Sequence, residues 1–284
     1  MDNVKIRQAT ASEADLDGIR HVYKPDDEGP WSKPDECRAW ITKRLERGFY
    51  IQVAETDGKI VGHGEWIISD EPGRKFAYLG MLEINENYRR KGIGQLMIAD
   101  GIDYARKNNC IEAVTNPDVE TGAEVFYRKC GFTDKRRRYT SHIETEPYKD
   151  YKFVKTIIDK VPVSAVKEKK FIFGKWQFSS RHMWEVYNEK PSTDDRLSPA
   201  VLLPDGTYVQ LGYWEGDDGG YPLVWSNSTN YGEIIKSALS FGHSLGLRRL
   251  DFDYLEDEES FFDGFGVYEK KLESDFEQIY YINN

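Results

Sequence analysis

The feature that most constrains this chain is the run Arg89-Arg90-Lys91-Gly92-Ile93-Gly94, which follows the apolar segment Tyr78-Leu79-Gly80-Met81-Leu82-Glu83-Ile84. A strand feeds a basic, glycine-bearing turn, and Ile93, Leu96, Met97, Asp100, Gly101 and Tyr104 then recur at helical spacing. Glycines let the backbone turn tightly and approach a ligand closely. The new helix aims its unpaired N–H groups and positive dipole end at whatever lies before it. Such an element suits a phosphate or pyrophosphate. A plain structural turn has the same local signature, so its partner further along matters: Ala123-Glu124-Val125-Phe126-Tyr127-Arg128-Lys129-Cys130-Gly131-Phe132.

At 284 residues the chain is long for one core, and two domains are expected. Its net charge of −10 argues against a nucleic-acid binder and favours a cationic, amine-bearing partner. Residues 1–150 carry 24 basic and 27 acidic side chains and the remainder 15 and 22, so the second half is the more acidic. Three cysteines, Cys37, Cys110 and Cys130, show no CxxC or metal-ligand spacing, which fits a reducing cytoplasm and no bound metal. Met1–Arg7 lacks an apolar signal core, and no apolar run is long enough to span a bilayer. The expectation is a soluble, cytoplasmic protein without a membrane partner; the sequence leaves the oligomeric state open.

Val4–Ala9 alternates like a strand, and Thr10 or Ser12 can cap a helix from Glu13 to Tyr23. Pro25–Pro34 has loop composition, and a second helix is expected from Pro34 to Glu46. Phe49–Glu55 and Lys59–Ile68 flank Asp57-Gly58, a hairpin signal. A strand at Ala77–Ile84, a helix from Gly92 to Lys107, a strand at Ile111–Thr115, a helix ending near Lys129 and a closing strand from Thr133 to Tyr139 follow. Arg136-Arg137-Arg138 reads as a solvated strand edge rather than an anion site.

Residues 141–165 read as a connection, after which the pattern partly repeats. Leu197–Leu203 and Thr207–Tyr213 flank Pro204-Asp205-Gly206 as a hairpin. Tyr221–Trp225 reads as a strand, Tyr231–Leu245 as a helix and Arg249–Tyr254 as a strand. Aligning Gly94 with Gly232 superposes the two helices, and Phe261-Phe262-Asp263-Gly264-Phe265 echoes Phe126 to Phe132. This is a weak internal duplication; two unrelated α+β segments are the alternative. The second copy has no basic glycine loop, only Asn227-Ser228-Thr229-Asn230-Tyr231-Gly232, and Ser260 stands where a tyrosine would be expected.

The first half, about residues 1–145, resembles the GNAT superfamily of acyl-CoA-dependent N-acyltransferases. Arg89-Arg90-Lys91-Gly92-Ile93-Gly94 matches its Arg/Gln-x-x-Gly-x-Gly/Ala loop, and Ala123-x-x-Phe126-Tyr127-x-Lys129-x-Gly131-Phe132 matches its C-terminal signature. The resemblance implies an α+β fold with a mixed, mostly antiparallel sheet flanked by helices. In tandem form this gives a catalytic domain at 1–145, a linker at 146–165 and a degenerate domain at 166–284. It implies acetyl-CoA as co-substrate, no metal, and acyl transfer to a primary amine. The amine would be a small cationic molecule such as a polyamine, an amino acid or an aminoglycoside-like compound, or alternatively a peptide amine.

By the same resemblance, backbone N–H groups from Arg90 through Lys91, Gly92, Ile93 and Gly94 to Gln95 would cradle the pyrophosphate, with charge added by Arg89 and Arg90. The main chain at Leu82, Glu83 and Ile84 would pair with the pantetheine arm as an added strand. The Leu82 N–H would stabilise the oxyanion. Tyr127 falls on the general-acid position, and a phenol stays protonated at neutral pH.

Glu83 and Glu65 are the candidate bases, with His63 or a water relay as alternatives; family members often place a carboxylate upstream on this strand, where this chain has Tyr78. The family's pantetheine-contacting asparagine position holds Glu120, and Asn116 is the substitute candidate. Trp31 and the acidic run Asp251–Glu259 are expected to bear on acceptor specificity. A competing class is a non-catalytic acyl-CoA sensor or scaffold that engages a protein partner through the acidic half. A dinucleotide-binding domain is excluded, because its glycine loop follows the first strand of a βαβ unit and this loop follows a hairpin.

Overall fold

The computed structural model describes residues 4–23, 33–71, 73–117, 122–173, 195–214 and 216–282. Strand β1 (Lys5–Gln8) leads to Ser12, whose side chain accepts the Asp15 amide and starts α1 (Glu13–Arg20). Buried Asp15 receives two Arg7 guanidinium nitrogens at 2.6 and 2.9 Å, which ties α1 to β1. Pro34 opens α2 (Pro34–Glu46), where its fixed φ suits the first turn. Strands β2 (Tyr50–Thr56) and β3 (Lys59–Glu71) join over Asp57-Gly58, both at positive φ as a two-residue hairpin turn requires. Then come β4 (Arg74–Ile84), α3 (Ile93–Lys107), β5 (Glu112–Thr115), α4 (Ala123–Lys129) and β6 (Thr133–Glu144).

The second half contributes β7 (Thr156–Ile158), α5 (Val163–Val166), β8 (Lys170–Phe171), β9 (Asp195–Leu197), β10 (Ala200–Leu202) and β11 (Tyr208–Trp214). It closes with β12 (Gly219–Ser226), α6 (Tyr231–Ser244), β13 (Arg249–Leu255) and β14 (Val267–Tyr281). The main path of the sheet runs β1-β2-β3-β4-β5-β14-β6-β13-β12-β11-β10-β7. Parallel pairing occurs between β4 and β5 and between β12 and β13; the remaining ladders among the described residues are antiparallel. This is the mixed, mostly antiparallel α+β architecture expected, and the element order of the first half recurs in the second. Helix α3 begins one residue before Gly94 and α6 one residue before Gly232, as the duplication requires.

The two halves exchange strands. β6 pairs with β13 and β14, both from the second half, and β14 pairs with β5 and β6, both from the first. β14 also carries side chains into the first half. Gln278 Nε2 donates to the Glu124 carbonyl at 3.1 Å and to Asp134 Oδ1 at 2.6 Å, and the Tyr280 ring packs on Phe132 at 5.7 Å.

Several expectations change. Residues 141–165 are not a bare connection: β6 continues to Glu144 and β7 follows. Arg136-Arg137-Arg138 is not on a sheet edge, since β6 lies between β13 and β14; Arg136 pairs with Asp257 at 3.4 Å and Arg138 is buried. The segment echoing α4 is a 3₁₀ helix, Glu256–Phe262. β14 had no counterpart in the sequence reading, because Glu-Lys-Lys-Leu-Glu-Ser-Asp-Phe-Glu-Gln at 269–278 has the charge of a solvated surface. Trp31 and Glu120 lie outside the described residues.

Ending the chain after Gly266 should abolish the single cooperative thermal transition expected of the full chain, because it strips a neighbour from both β5 and β6. Circular dichroism melts check this; a truncated chain that melts cooperatively at the full-length temperature would contradict the exchange.

Candidate active site

The parallel ladder between β4 and β5 is short. It pairs Phe76 with Glu112, Ala77 with Ala113 and Tyr78 with Val114, and then the strands part. On the other side β4 follows β3 to Ile84, with one irregularity: Glu65 faces Met81 and Trp66 faces Leu79, so Gly80 is the extra residue of a bulge. Thr115 Oγ1 donates to the Leu79 carbonyl at 3.3 Å and marks the apex of the gap. Beyond it, Gly80–Ile84 has no strand partner on this edge among the described residues.

The orientation of that edge follows from pleating. The Asn85 N–H bonds to the Val61 carbonyl of β3, so the N–H groups of Ile84 and Leu82 point the other way, into the gap. Leu82 therefore presents its donor where the resemblance requires one. Ile84 is engaged by side chains: Glu83 Oε1 accepts its N–H at 3.0 Å, and Arg89 Nε donates to its carbonyl at 2.9 Å. Arg89 also holds Glu83 Oε1 at 2.6 Å. The structure thus places both Arg89 and Glu83 at the strand end, paired with each other.

The basic turn forms a concave row of donors. Arg89 is extended, while Arg90 and Gly92 have positive φ of 60° and 78°. Gly92 caps α3 without a side chain, and the first helical bond runs from the Leu96 N–H to the Gly92 carbonyl, so the N–H groups of Ile93, Gly94 and Gln95 have no intrahelical acceptor. Arg90 and Gln95 are exposed, and Lys91 folds back to the Asn87 carbonyl at 3.0 Å. A Cβ at position 94 would stand 3.0 Å from Phe126, so Gly94 is what lets α4 close against the start of α3. The two sequence motifs are in physical contact.

From α4, Tyr127 reaches the apex of the gap. It is buried between Phe126 and Phe132, at ring distances of 5.2 and 5.7 Å, and its hydroxyl shares a hydrogen bond with Thr115. Burial pushes its pKa above the ordinary phenol value, so it holds its proton at neutral pH. Asn116 Nδ2 donates to the Tyr78 hydroxyl at 3.4 Å, while its buried Oδ1 has no partner among the described residues. That orphaned acceptor and the open Leu82 donor are the complement an amide-bearing arm would need.

The opposite sheet face, under α1 and α2, carries a different cluster. Fully buried His63 has Nδ1 2.6 Å from the Tyr23 hydroxyl and Nε2 3.6 Å from Glu65 Oε1. Glu65 Oε2 lies 3.0 Å from Arg44 Nε, and Trp40 Nε1 donates to Oε1 at 3.2 Å. Burial pushes the Glu65 pKa up and, aided by the Arg44 charge, pulls His63 down to about 3, so the imidazole is neutral at physiological pH. The Tyr23 hydroxyl also donates to Met81 Sδ at 2.9 Å, beside the Gly80 bulge. Tyr23 was read in the sequence only as the end of a helix, and nothing in its local pattern marks it.

Comparison with known proteins agrees. A profile of the Acetyltransferase (GNAT) family matches residues 16–132. This stretch is a GNAT domain. An uncharacterized N-acetyltransferase of Methanocaldococcus jannaschii is 34% identical over 101 residues, 34% of this chain and 43% of that protein, so the match spans less than half of the relative. A GCN5-related N-acetyltransferase from Kribbella flavida superposes with a TM-score of 0.64 at 12% identity, over 98% of this chain and 72% of that one. A tandem GNAT protein from the clavulanic acid biosynthesis pathway superposes with a TM-score of 0.51 at 12% identity over 99% of each chain, so the tandem arrangement extends through the second half.

The second half departs from the GNAT site as its sequence does. Asn230 caps α6 through its side chain, accepting the Glu233 N–H, and Glu233 adds a carboxylate to the first turn. The acidic run is tied to its own chain: Asp251 to His142 at 2.6 Å, Asp257 to Arg136 at 3.4 Å and Glu259 to Lys270 at 2.6 Å. No helix among the described residues is long and apolar enough to cross a membrane, and no group of three metal-ligating side chains is found among them.

Arg44→Leu should destabilise the fold by about 3–5 kcal/mol, because it strands a buried carboxylate. The double variant Arg44→Leu/Glu65→Leu should recover most of that loss in urea unfolding. A single variant that unfolds like wild type would show that the pair is not buried together.

Proposed function

We propose that this chain transfers the acetyl group of acetyl-CoA to a primary amine by direct attack in a ternary complex. The observation that carries this reading is the parting of β4 from β5 after Tyr78 and Val114, with the Leu82 donor on its open edge and Tyr127 at its apex. An extended pantetheine arm fits such an edge as an added strand, between Leu82 and Asn116, and its pyrophosphate fits the uncapped start of α3. Acetyl-CoA supplies the activated acyl carbon.

In this scheme the amine nitrogen forms a bond to the thioester carbon as the Leu82 N–H holds the developing oxyanion. The carbon–sulfur bond breaks, and Tyr127 gives its proton to the departing thiolate. The amine must lose a proton as well. Glu83 is a weak choice for accepting it, because Arg89 and the Ile84 N–H occupy the same carboxylate oxygen. Glu65 is reached through Tyr23 and His63, on the sheet face opposite Tyr127. Acid and base then act on the thioester from opposite faces. We assign the proton relay Tyr23, His63, Glu65, and a small cationic amine as acceptor, with a peptide amine as the alternative.

Thiol release from acetyl-CoA, followed with spermidine, glucosamine, lysine and an alanyl peptide, tests this. Wild type should release thiol only when an amine is present. Tyr127→Phe should lower kcat on the order of 100-fold with little change in the KM for acetyl-CoA. Tyr23→Phe should lower kcat and shift the pH profile while leaving acetyl-CoA binding intact. Tight coenzyme A binding with no turnover on any amine would favour the sensor instead.

A further inference from the structure

The second half contains the counterpart of the β4–β5 gap. β12 and β13 run parallel, pairing Gly219 with Arg249 and Gly220 with Leu250, and they part from Tyr221 onward. In the first half this parting leaves an open edge. In the second half it does not, because residues 170–173 lie in the gap. Phe171 pairs with Trp225 and Lys170 with Ser226. The Ile172 N–H donates to the Val224 carbonyl at 2.9 Å, and the Val224 N–H donates to the Phe173 carbonyl at 3.1 Å. Val224 thereby gains both main-chain partners on the edge that corresponds to Leu82 and Ile84.

The side chains fix the segment in place. Phe173 is fully buried and meets Phe252 of β13 edge-to-face at 5.5 Å, with Phe262 at 5.6 Å and Phe261 at 6.5 Å. Phe171 stacks on Trp225 at 4.4 Å. One ring thus touches the parted strand on the far side, and the other covers the near strand. In chain order the segment follows β7 and α5, the place that α1 and α2 hold in the first half.

We propose that the second half retains a strand-addition groove of the acyl-CoA type and that the chain itself fills it, residues 170–173 standing where the pantetheine arm would lie. Apolar burial of Phe173 and the two backbone bonds hold the strap, so a thioester ligand has no free donor to pair with there. The capped, acid-bearing start of α6 removes the phosphate subsite as well. One acyl-CoA binds per chain, in the first half. The inference rests on the acyl-CoA reading of the first gap, and its test separates the two.

Amide hydrogen exchange on the full chain, with and without coenzyme A, reads both gaps at once. The Ile172 and Val224 amides should already be slow without ligand and should not change on saturation, whereas Leu82 should slow on the order of tenfold or more. Calorimetry should give one coenzyme A per chain. Phe173→Ala should speed exchange at Ile172 and Val224 on the order of tenfold and leave Leu82 unaffected. Fast exchange at Val224 that slows with coenzyme A, or two molecules bound per chain, would overturn the strap. No coenzyme A binding, with Ile172 and Val224 still slow, would instead overturn the acyl-CoA reading and leave the strap standing.

Discussion

Two parallel strands that stop pairing expose a row of backbone donors and acceptors, and buried backbone groups must find partners. This chain meets that constraint twice and answers it differently each time. In the first half the edge of β4 stays open beyond Tyr78, and the Ile84 N–H is satisfied by the folded-back Glu83–Arg89 pair. In the second half residues 170–173 supply the missing strand. The bulge at Gly80 adds to the first solution. It shifts the pleat so that Met81 and Glu83 face α1 and α2 while Leu82 and Ile84 pack toward α3. A donor edge and two chemically different sheet faces meet at one point.

The strand exchange gives this point its support. α4, which carries Tyr127, rests on β14, a strand made of the last residues of the described chain. The degenerate half therefore has a structural task even without chemistry of its own: its final strand closes the sheet of the GNAT half. Division at residues 146–165, proposed from the sequence, separates the motifs correctly but cuts across the sheet, because β6 and β14 each sit wholly among strands of the other half.

Much of this was legible beforehand, for reasons that can be named. Asp57-Gly58, Ser12, Pro34 and Gly92 act locally, through turn, cap and helix-start chemistry, and each does in the fold what its type predicts. Gly94 and Phe126 were read as separate motifs and prove to be one contact. What the sequence hid was long-range. β14 has a charged pattern because its partners are fixed by exchange rather than by an apolar face, and Arg136-Arg137-Arg138 looked like an edge for the same reason. Tyr23 and Glu65 meet through His63 across 40 and more positions of chain, which no spacing rule reports.

The central claim is that the gap between β4 and β5 is the acyl-CoA slot, and a crystal structure of the chain with coenzyme A tests it most directly. The account predicts one molecule, its pantetheine arm paired to the Leu82 main chain and facing Asn116, its pyrophosphate on the N–H groups of residues 92–95, and its sulfur beside Tyr127. Coenzyme A bound along Val224 in place of residues 170–173, or seated away from Leu82 with Tyr127 remote from the sulfur, would contradict it.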